Sequence, residues 1–166
     1  MEDFVRSCAG YCVIIYLLGV GDRHLDQLML TSSGQLFHID FGFILGRDPM
    51  PFPPPLKIPP AIIEAMGGYH SVPFTRFKEY CLTAYNVLRK SSNVILNFFS
   101  LMVDADITDI RALGPDKARL KLTEKFSLDL TDTHAVHAFH QLLNEHVLAL
   151  FPSPSEMIHS WAIYWK

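Results

Sequence analysis

Seven of the twelve residues from Pro49 to Pro60 are proline, and no other feature limits the fold so sharply. Proline has no backbone N–H and a fixed φ, so this stretch can enter neither a helix interior nor a central strand and runs extended and stiff, as a loop or a linker. Regular structure must lie before it and after it.

Before it, Phe4, Cys8, Tyr11, Cys12, Ile15 and Leu18 recur at helical spacing, with further apolar residues between them. This predicts a first helix buried almost all round and ended at Gly19. Leu28–Leu30 and 36–39 flank Thr31-Ser32-Ser33-Gly34-Gln35, the pattern of a short β-hairpin closed by turn residues. After the prolines, helical patterns run over 73–90, 92–103, 115–126 and 132–150. Ser153-Pro154-Ser155-Glu156 then offers a capping box for a last amphipathic helix, 154–166, with Trp161 and Trp165 on its apolar stripe. The expected class is mainly α with one short hairpin (α+β). A chain of 166 residues, 49% hydrophobic and 19% charged, supports one domain with one real core.

Charge and cysteine content narrow the setting. Net charge is −3 and no run of Lys or Arg exceeds two, which argues against a nucleic-acid partner. Cys8, Cys12 and Cys81 lack CxxC spacing and fit buried thiols in a reducing, cytoplasmic compartment. Met1-Glu2-Asp3 is not a basic leader, and the apolar stretch from Cys8 to Val20 is too short to span a bilayer, so neither a signal peptide nor a transmembrane helix is expected.

The chemistry-bearing residues fall in two loops flanking the hairpin: Gly21-Asp22-Arg23-His24-Leu25-Asp26-Gln27 before it and Asp40-Phe41-Gly42 after it. Phosphoryl transfer needs oxygen ligands that hold Mg²⁺ against phosphates and a group that takes or orients the nucleophile's proton. Singly, Asp22 reads as a turn cap, His24 as a buried histidine and Asp40 as a strand-end residue. Eighteen residues apart and in this order, the two motifs favour a site.

Asp-Arg-His followed by Asp-Phe-Gly resembles the phosphoinositide 3- and 4-kinases and their protein-kinase relatives. The resemblance runs along essentially the whole chain, through Ser7-Cys8-Ala9-Gly10-Tyr11-Cys12, Phe37-His38-Ile39-Asp40-Phe41-Gly42, Ile44-Leu45-Gly46-Arg47-Asp48-Pro49 and the Trp-rich tail, and points to the class III phosphatidylinositol 3-kinases. It implies the C-terminal lobe of a protein-kinase-like fold, with catalytic loop 19–27, metal loop 40–42 and activation loop 43–60. It implies catalytic roles for Asp22, His24 and Arg23, ATP bound over Met29, Ile39 and Asp40, and Mg²⁺ or Mn²⁺ on Asp40 and Gln27. The implied reaction moves the γ-phosphate of ATP to the 3-hydroxyl of phosphatidylinositol.

Two departures stand out. The family's catalytic loop carries Asn as a metal ligand where this chain has Gln27, whose amide sits one methylene further out. Only 21 residues precede Asp22, without a Gly-rich phosphate loop or strand lysine, so the N-terminal lobe is absent from this sequence and the chain alone is expected to turn over poorly. The competing expectation is a truncated, noncatalytic lobe that binds membrane or partner.

Within 43–60 the only bases are Arg47 and Lys57, assigned to substrate. A phosphorylated headgroup calls for several bases, so unphosphorylated phosphatidylinositol is the expected lipid. A kinase-related protein kinase would not be expected to match Gly46-Arg47-Asp48-Pro49 and the proline run, and a proline-ligand role for 51–60 is secondary. The resemblance further implies a regulatory kinase-like subunit, autophagy or endosome scaffolds, and peripheral residence on those membranes through Trp161 and Trp165, a stripe that reads equally as the buried face of a core helix. His134, His137 and His140 step in threes, which drifts around a helix, and Asp104, Asp106 and Asp109 lack a calcium loop's glycine and terminal Glu.

Overall fold

α1 (Glu2–Leu18) is the spine of the chain. Glu2 and Asp3 in its first turn complement the helix dipole. It stops at Gly19, φ +58°, where the N–H groups of Gly19 and Val20 turn back onto the carbonyls of Tyr16 (3.2 Å) and Ile15 (3.0 Å). A left-handed residue is what that closure demands. From Ser7 onward only Ile14 of this helix is exposed, in keeping with a helix buried on nearly every face.

The structure, a computed structural model, describes residues 1–102 and 107–150. The expected last helix, with Trp161 and Trp165, and the residues Asp104 and Asp106 lie outside them. β1 (Leu28–Leu30) and β2 (Leu36–His38) form an antiparallel pair with Met29 opposite Phe37. Gly34, φ +87°, closes the turn, and its N–H donates to Thr31 O at 2.9 Å. One face of the pair, Leu36 and His38, is buried towards α1, and Ser7 Oγ accepts the Leu36 N–H at 2.9 Å.

Beyond the prolines come α2 (Pro60–Ala65), α3 (Val72–Lys90), α4 (Ser92–Leu101), α5 (Thr108–Leu113), α6 (Pro115–Phe126) and α7 (Asp132–Leu150). The fold is therefore mainly α with one hairpin. α2 and α5 escape the sequence reading because six residues are too few to show a helical period, and α2 opens on Pro60, the one place where a helix accepts proline without losing a bond. The proline run thus ends as a helix start rather than wholly as loop.

Two cores hold these elements. The larger gathers Val5, Cys8, Val13 and Leu17 of α1, Phe74, Phe77, Cys81 and Tyr85 of α3, and Ala135, Phe139, Leu143 and Val147 of α7. The Tyr85 and Phe139 rings stack at 4.4 Å, with Tyr16 tilted against Phe139 at 5.0 Å. The smaller packs Leu45 against Leu96, Ile110, Ala118 and Leu122. Between α3 and α7, buried Arg89 donates to the carbonyls of Phe126 (3.0 Å), Ser127 (3.2 Å) and Leu130 and pairs with Asp132.

All three thiols are free, Cys8 and Cys81 buried and Cys12 half-buried, and burial pushes the Cys8 thiol up to about 12. His134 bonds Thr131 and His140 bonds Asn144, so both serve their own helix. No helix among the described residues is long and apolar enough to cross a membrane.

Candidate active site

The site grows from the way α1 ends. After Gly19 the chain is zipped to the segment following Asp40. Leu45 N–H donates to Leu18 O (2.7 Å), Gly46 N–H to Gly19 O (2.8 Å) and Gly21 N–H to Phe43 O (2.9 Å). The approach is so close that a Cβ on Gly21 would lie 2.1 Å from Arg47 O. Only glycine fits. Asp22 follows in a left-handed conformation, φ +49°, its N–H held by Asp48 Oδ2 at 3.2 Å, while Asp48 Oδ1 accepts from Met50 N–H at 2.8 Å.

A short 3₁₀ turn, Leu25–Gln27, then enters β1, and the Ile39 N–H donates to Gln27 O at 2.9 Å, placing the two loops side by side at the end of the hairpin opposite its turn. There the Gln27 side-chain amide donates to Asp22 Oδ2 at 3.4 Å and to Asp40 Oδ2 at 3.3 Å. Gln27 is 7% exposed, and its Oε1 is buried without a hydrogen-bond partner. Asp40 is oriented from both sides. Its Oδ1 accepts the Gly42 N–H at 2.8 Å, and its carbonyl bonds His38 Nε2. His24, exposed, has Nε2 3.8 Å from Asp22 Oδ1 and Nδ1 3.8 Å from Asp26 Oδ2.

The other expected site residues are spread around this centre. Met29 and Ile39 are 48% and 53% exposed, and strand alternation puts both on the hairpin face away from buried Leu36 and His38. Arg23 points inward instead, its Nη2 donating to Pro54 O at 2.6 Å. Burial lowers the pKa of that guanidinium, with Asp48 opposing the effect. Lys57 lines the same cavity as His24, Arg23 and Cys12, whereas Arg47 lies over the Phe43 ring at 4.9 Å and lines a separate hollow with Lys121. The two bases of the 43–60 segment therefore do not converge. Asp48 and His38 orient Asp22 and Asp40, and neither role is visible in sequence, since an Asp before a Pro announces a local turn and not a partner 26 residues away.

Two carboxylates and an amide are a hard oxygen-donor set suited to Mg²⁺ or Mn²⁺. The fit has a structural mark: the Gln27 amide oxygen is buried and lacks a partner, and a half-turn of the terminal amide exchanges its oxygen with the nitrogen that now faces both carboxylates. An acceptor set gathered where a hairpin meets two loops, on a mainly helical base, fits a kinase-like fold.

Comparison with known proteins makes this specific. The family model of phosphatidylinositol 3- and 4-kinases matches residues 1–112, and the chain belongs to that family. Over all 166 residues it is 60% identical to "Phosphatidylinositol 3-kinase, root isoform" of Glycine max, covering 20% of that protein. It is 59% identical to "Phosphatidylinositol 3-kinase VPS34" of Arabidopsis thaliana, again over 20% of its length. It is 52% identical to "Phosphatidylinositol 3-kinase pik3" of Schizosaccharomyces pombe, over 21%. The chain thus spans about a fifth of the curated relatives it matches. The class III resemblance read from the motifs agrees with these relatives.

Proposed function

We propose that this chain is the C-terminal lobe of a phosphatidylinositol 3-kinase, with 19–27 as catalytic loop, 40–42 as metal loop and 43–60 as the loop that reads the lipid. The observation that carries the reading is the Gln27 amide shared by Asp22 and Asp40, which gathers three oxygen-bearing groups from two loops. Asp40 and Gln27 would hold Mg²⁺ or Mn²⁺, which supplies charge neutralisation on the ATP phosphates. His24, flanked by Asp22 and Asp26, would take the proton of the inositol 3-hydroxyl. As the hydroxyl oxygen bonds the γ-phosphorus, the bond to the β–γ bridging oxygen breaks, ADP leaves, and phosphatidylinositol 3-phosphate is formed. Asp22 stabilises the positive charge that His24 gains. Met29 and Ile39 offer an apolar floor to the adenine.

Unphosphorylated phosphatidylinositol suits a loop whose two bases point apart. Phe52, 98% exposed in a positive-φ conformation beside exposed Met50, gives that loop an apolar tip suited to a membrane-borne substrate. Endosomal and autophagic membranes, a regulatory kinase-like subunit and their scaffolds follow from the family resemblance. The second reading, a noncatalytic lobe that binds membrane or partner, is favoured by Gln27 standing where the family carries Asn, with its amide one methylene further out.

Magnesium-dependent ATP binding by the whole protein separates the two readings. The kinase reading expects binding with Mg²⁺, none with EDTA, and conversion of phosphatidylinositol vesicles to the 3-phosphate. Asp40→Ala should abolish both at an unchanged melting temperature. Binding that ignores the metal, or Asp40→Ala retaining turnover, would remove the site assignment.

A further inference from the structure

The proline-rich segment is short of backbone donors. From Pro53 to Pro60 only Leu56, Lys57 and Ile58 carry a backbone N–H, because the other five residues are proline. Such a stretch cannot be held by a hydrogen-bond ladder. It is held by burying the Leu56 and Ile58 side chains in the larger core and by two polar ties. One is Arg23 Nη2 to Pro54 O at 2.6 Å. The other comes from α7, 88 residues further along the chain, where His146 Nε2 accepts the Ile58 N–H at 2.9 Å. α7 itself is fixed by Ala135, Phe139, Leu143 and Val147 in that core.

We propose that His146 is a positioning residue for the lipid-reading loop, a pH-sensitive latch that clamps Ile58 while its imidazole is neutral and releases it on protonation. The proposal rests on the 43–60 segment having the role given above. An imidazole accepts a hydrogen bond only through an unprotonated nitrogen, so the Ile58 bond and a proton on Nε2 exclude each other. Burial is the main cause that lowers the His146 pKa; the Ile58 backbone contact opposes it, the Arg23 charge acts with it, and the net direction is down. Arg23, from the catalytic loop, is the charged group acting on it among the described residues. α3 meets α7 through the Tyr85 and Phe139 rings, the charged groups nearest in sequence and cavity being Glu145 of α7 itself and Lys57 of the loop.

The sign is fixed by that shift. A histidine with a lowered folded pKa contributes its tie above the ordinary value of about 6.5 and loses it as pH falls through the folded value. On protonation the Ile58 N–H loses its acceptor while a second cation appears beside Arg23. Both effects loosen the segment between Pro54 and Pro60, and so move Lys57, which lines the His24 cavity.

The test is hydrogen exchange of the peptide spanning 53–60, read by mass spectrometry on the whole purified protein between about pH 5.5 and 8 and corrected for intrinsic rates. With only three exchangeable amides in that window, one protected amide is resolved directly. The Ile58 amide should be protected at high pH and exchange about tenfold faster once His146 is protonated, the size of one ordinary hydrogen bond. His146→Gln, which keeps an acceptor and cannot titrate, should stay protected throughout. His146→Leu should be unprotected at every pH, with α3 and α7 peptides unchanged. In turnover on phosphatidylinositol vesicles, the KM for lipid in the parent should rise relative to that of His146→Gln as pH falls, while any loss of kcat from protonating His24 is shared by both proteins. Protection in the parent that does not depend on pH, or an Ile58 amide equally protected in His146→Leu, overturns the latch. A pH-dependent amide without vesicle turnover keeps the latch and removes the kinase reading; turnover with a pH-flat amide does the reverse.

Discussion

Replacing Gly21 by alanine is the sharpest probe of how the site is assembled. The added Cβ would sit 2.1 Å from Arg47 O, 2.9 Å from Asp48 Cα and 3.0 Å from Asp48 Oδ2. Two of these are backbone atoms, which cannot swing aside as a side chain would, so the two loops must part by about 1 Å to reach ordinary contact distance. That movement breaks the Gly21 N–H to Phe43 O bond (2.9 Å) and the Asp22 N–H to Asp48 Oδ2 bond (3.2 Å), and it strains the Gly46 to Gly19 bond beside them. Two lost bonds at about 1 kcal/mol each and an overpacking strain of about 1–3 kcal/mol sum to roughly 3–5 kcal/mol. For a chain of this size each kcal/mol lowers Tm by about 2–4 °C, so a fall on the order of 10 °C is expected. Differential scanning fluorimetry reads it, and magnesium-dependent ATP binding should weaken alongside because Asp22 moves away from Asp40. A Gly21→Ala protein that melts within about 2 °C of the parent and binds metal–nucleotide equally well would refute the zipped-loop account.

Arg89→Met should cost about 2–4 kcal/mol, since it removes a buried guanidinium's bonds to the buried Phe126 carbonyl and to the part-buried Ser127 and Leu130 carbonyls, while half-exposed Asp132 is left to water; chemical denaturation of the two proteins checks this. Gln27→Leu should change stability by less than about 1 kcal/mol, because it deletes two long hydrogen bonds but also a buried oxygen without a partner, while metal-dependent nucleotide binding is lost. Gln27→Asn in the whole kinase should raise turnover, and an unchanged rate and Mg²⁺ dependence would count against Gln27 as a ligand.

Much of the fold was legible because it is written in local terms. Phe74, Phe77, Cys81 and Tyr85 recur at helical spacing and mark the buried face of α3, whereas in α1 the helix was legible but its most buried face is Val5, Cys8, Ala9, Val13 and Leu17, sharing only Cys8 with the expected stripe. The Thr31–Gln35 turn, the Gly19 stop and the pair of motifs around the hairpin are equally local. α2 and α5 were not legible, having too few residues to display a period.

The sequence by itself determined the longer helices and the hairpin, the presence of two acid-bearing loops and the family to which they belong, because periodicity, turn residues and motif order are properties of neighbours along the chain. Only the tertiary structure decided which groups meet. It turned Arg23 inward onto Pro54, sent Arg47 and Lys57 to different cavities, and brought Asp48 to Asp22 and His146 to Ile58. Those pairings depend on how α1, the hairpin and α7 pack, and packing is settled by contacts among residues tens of positions apart, which no local pattern encodes.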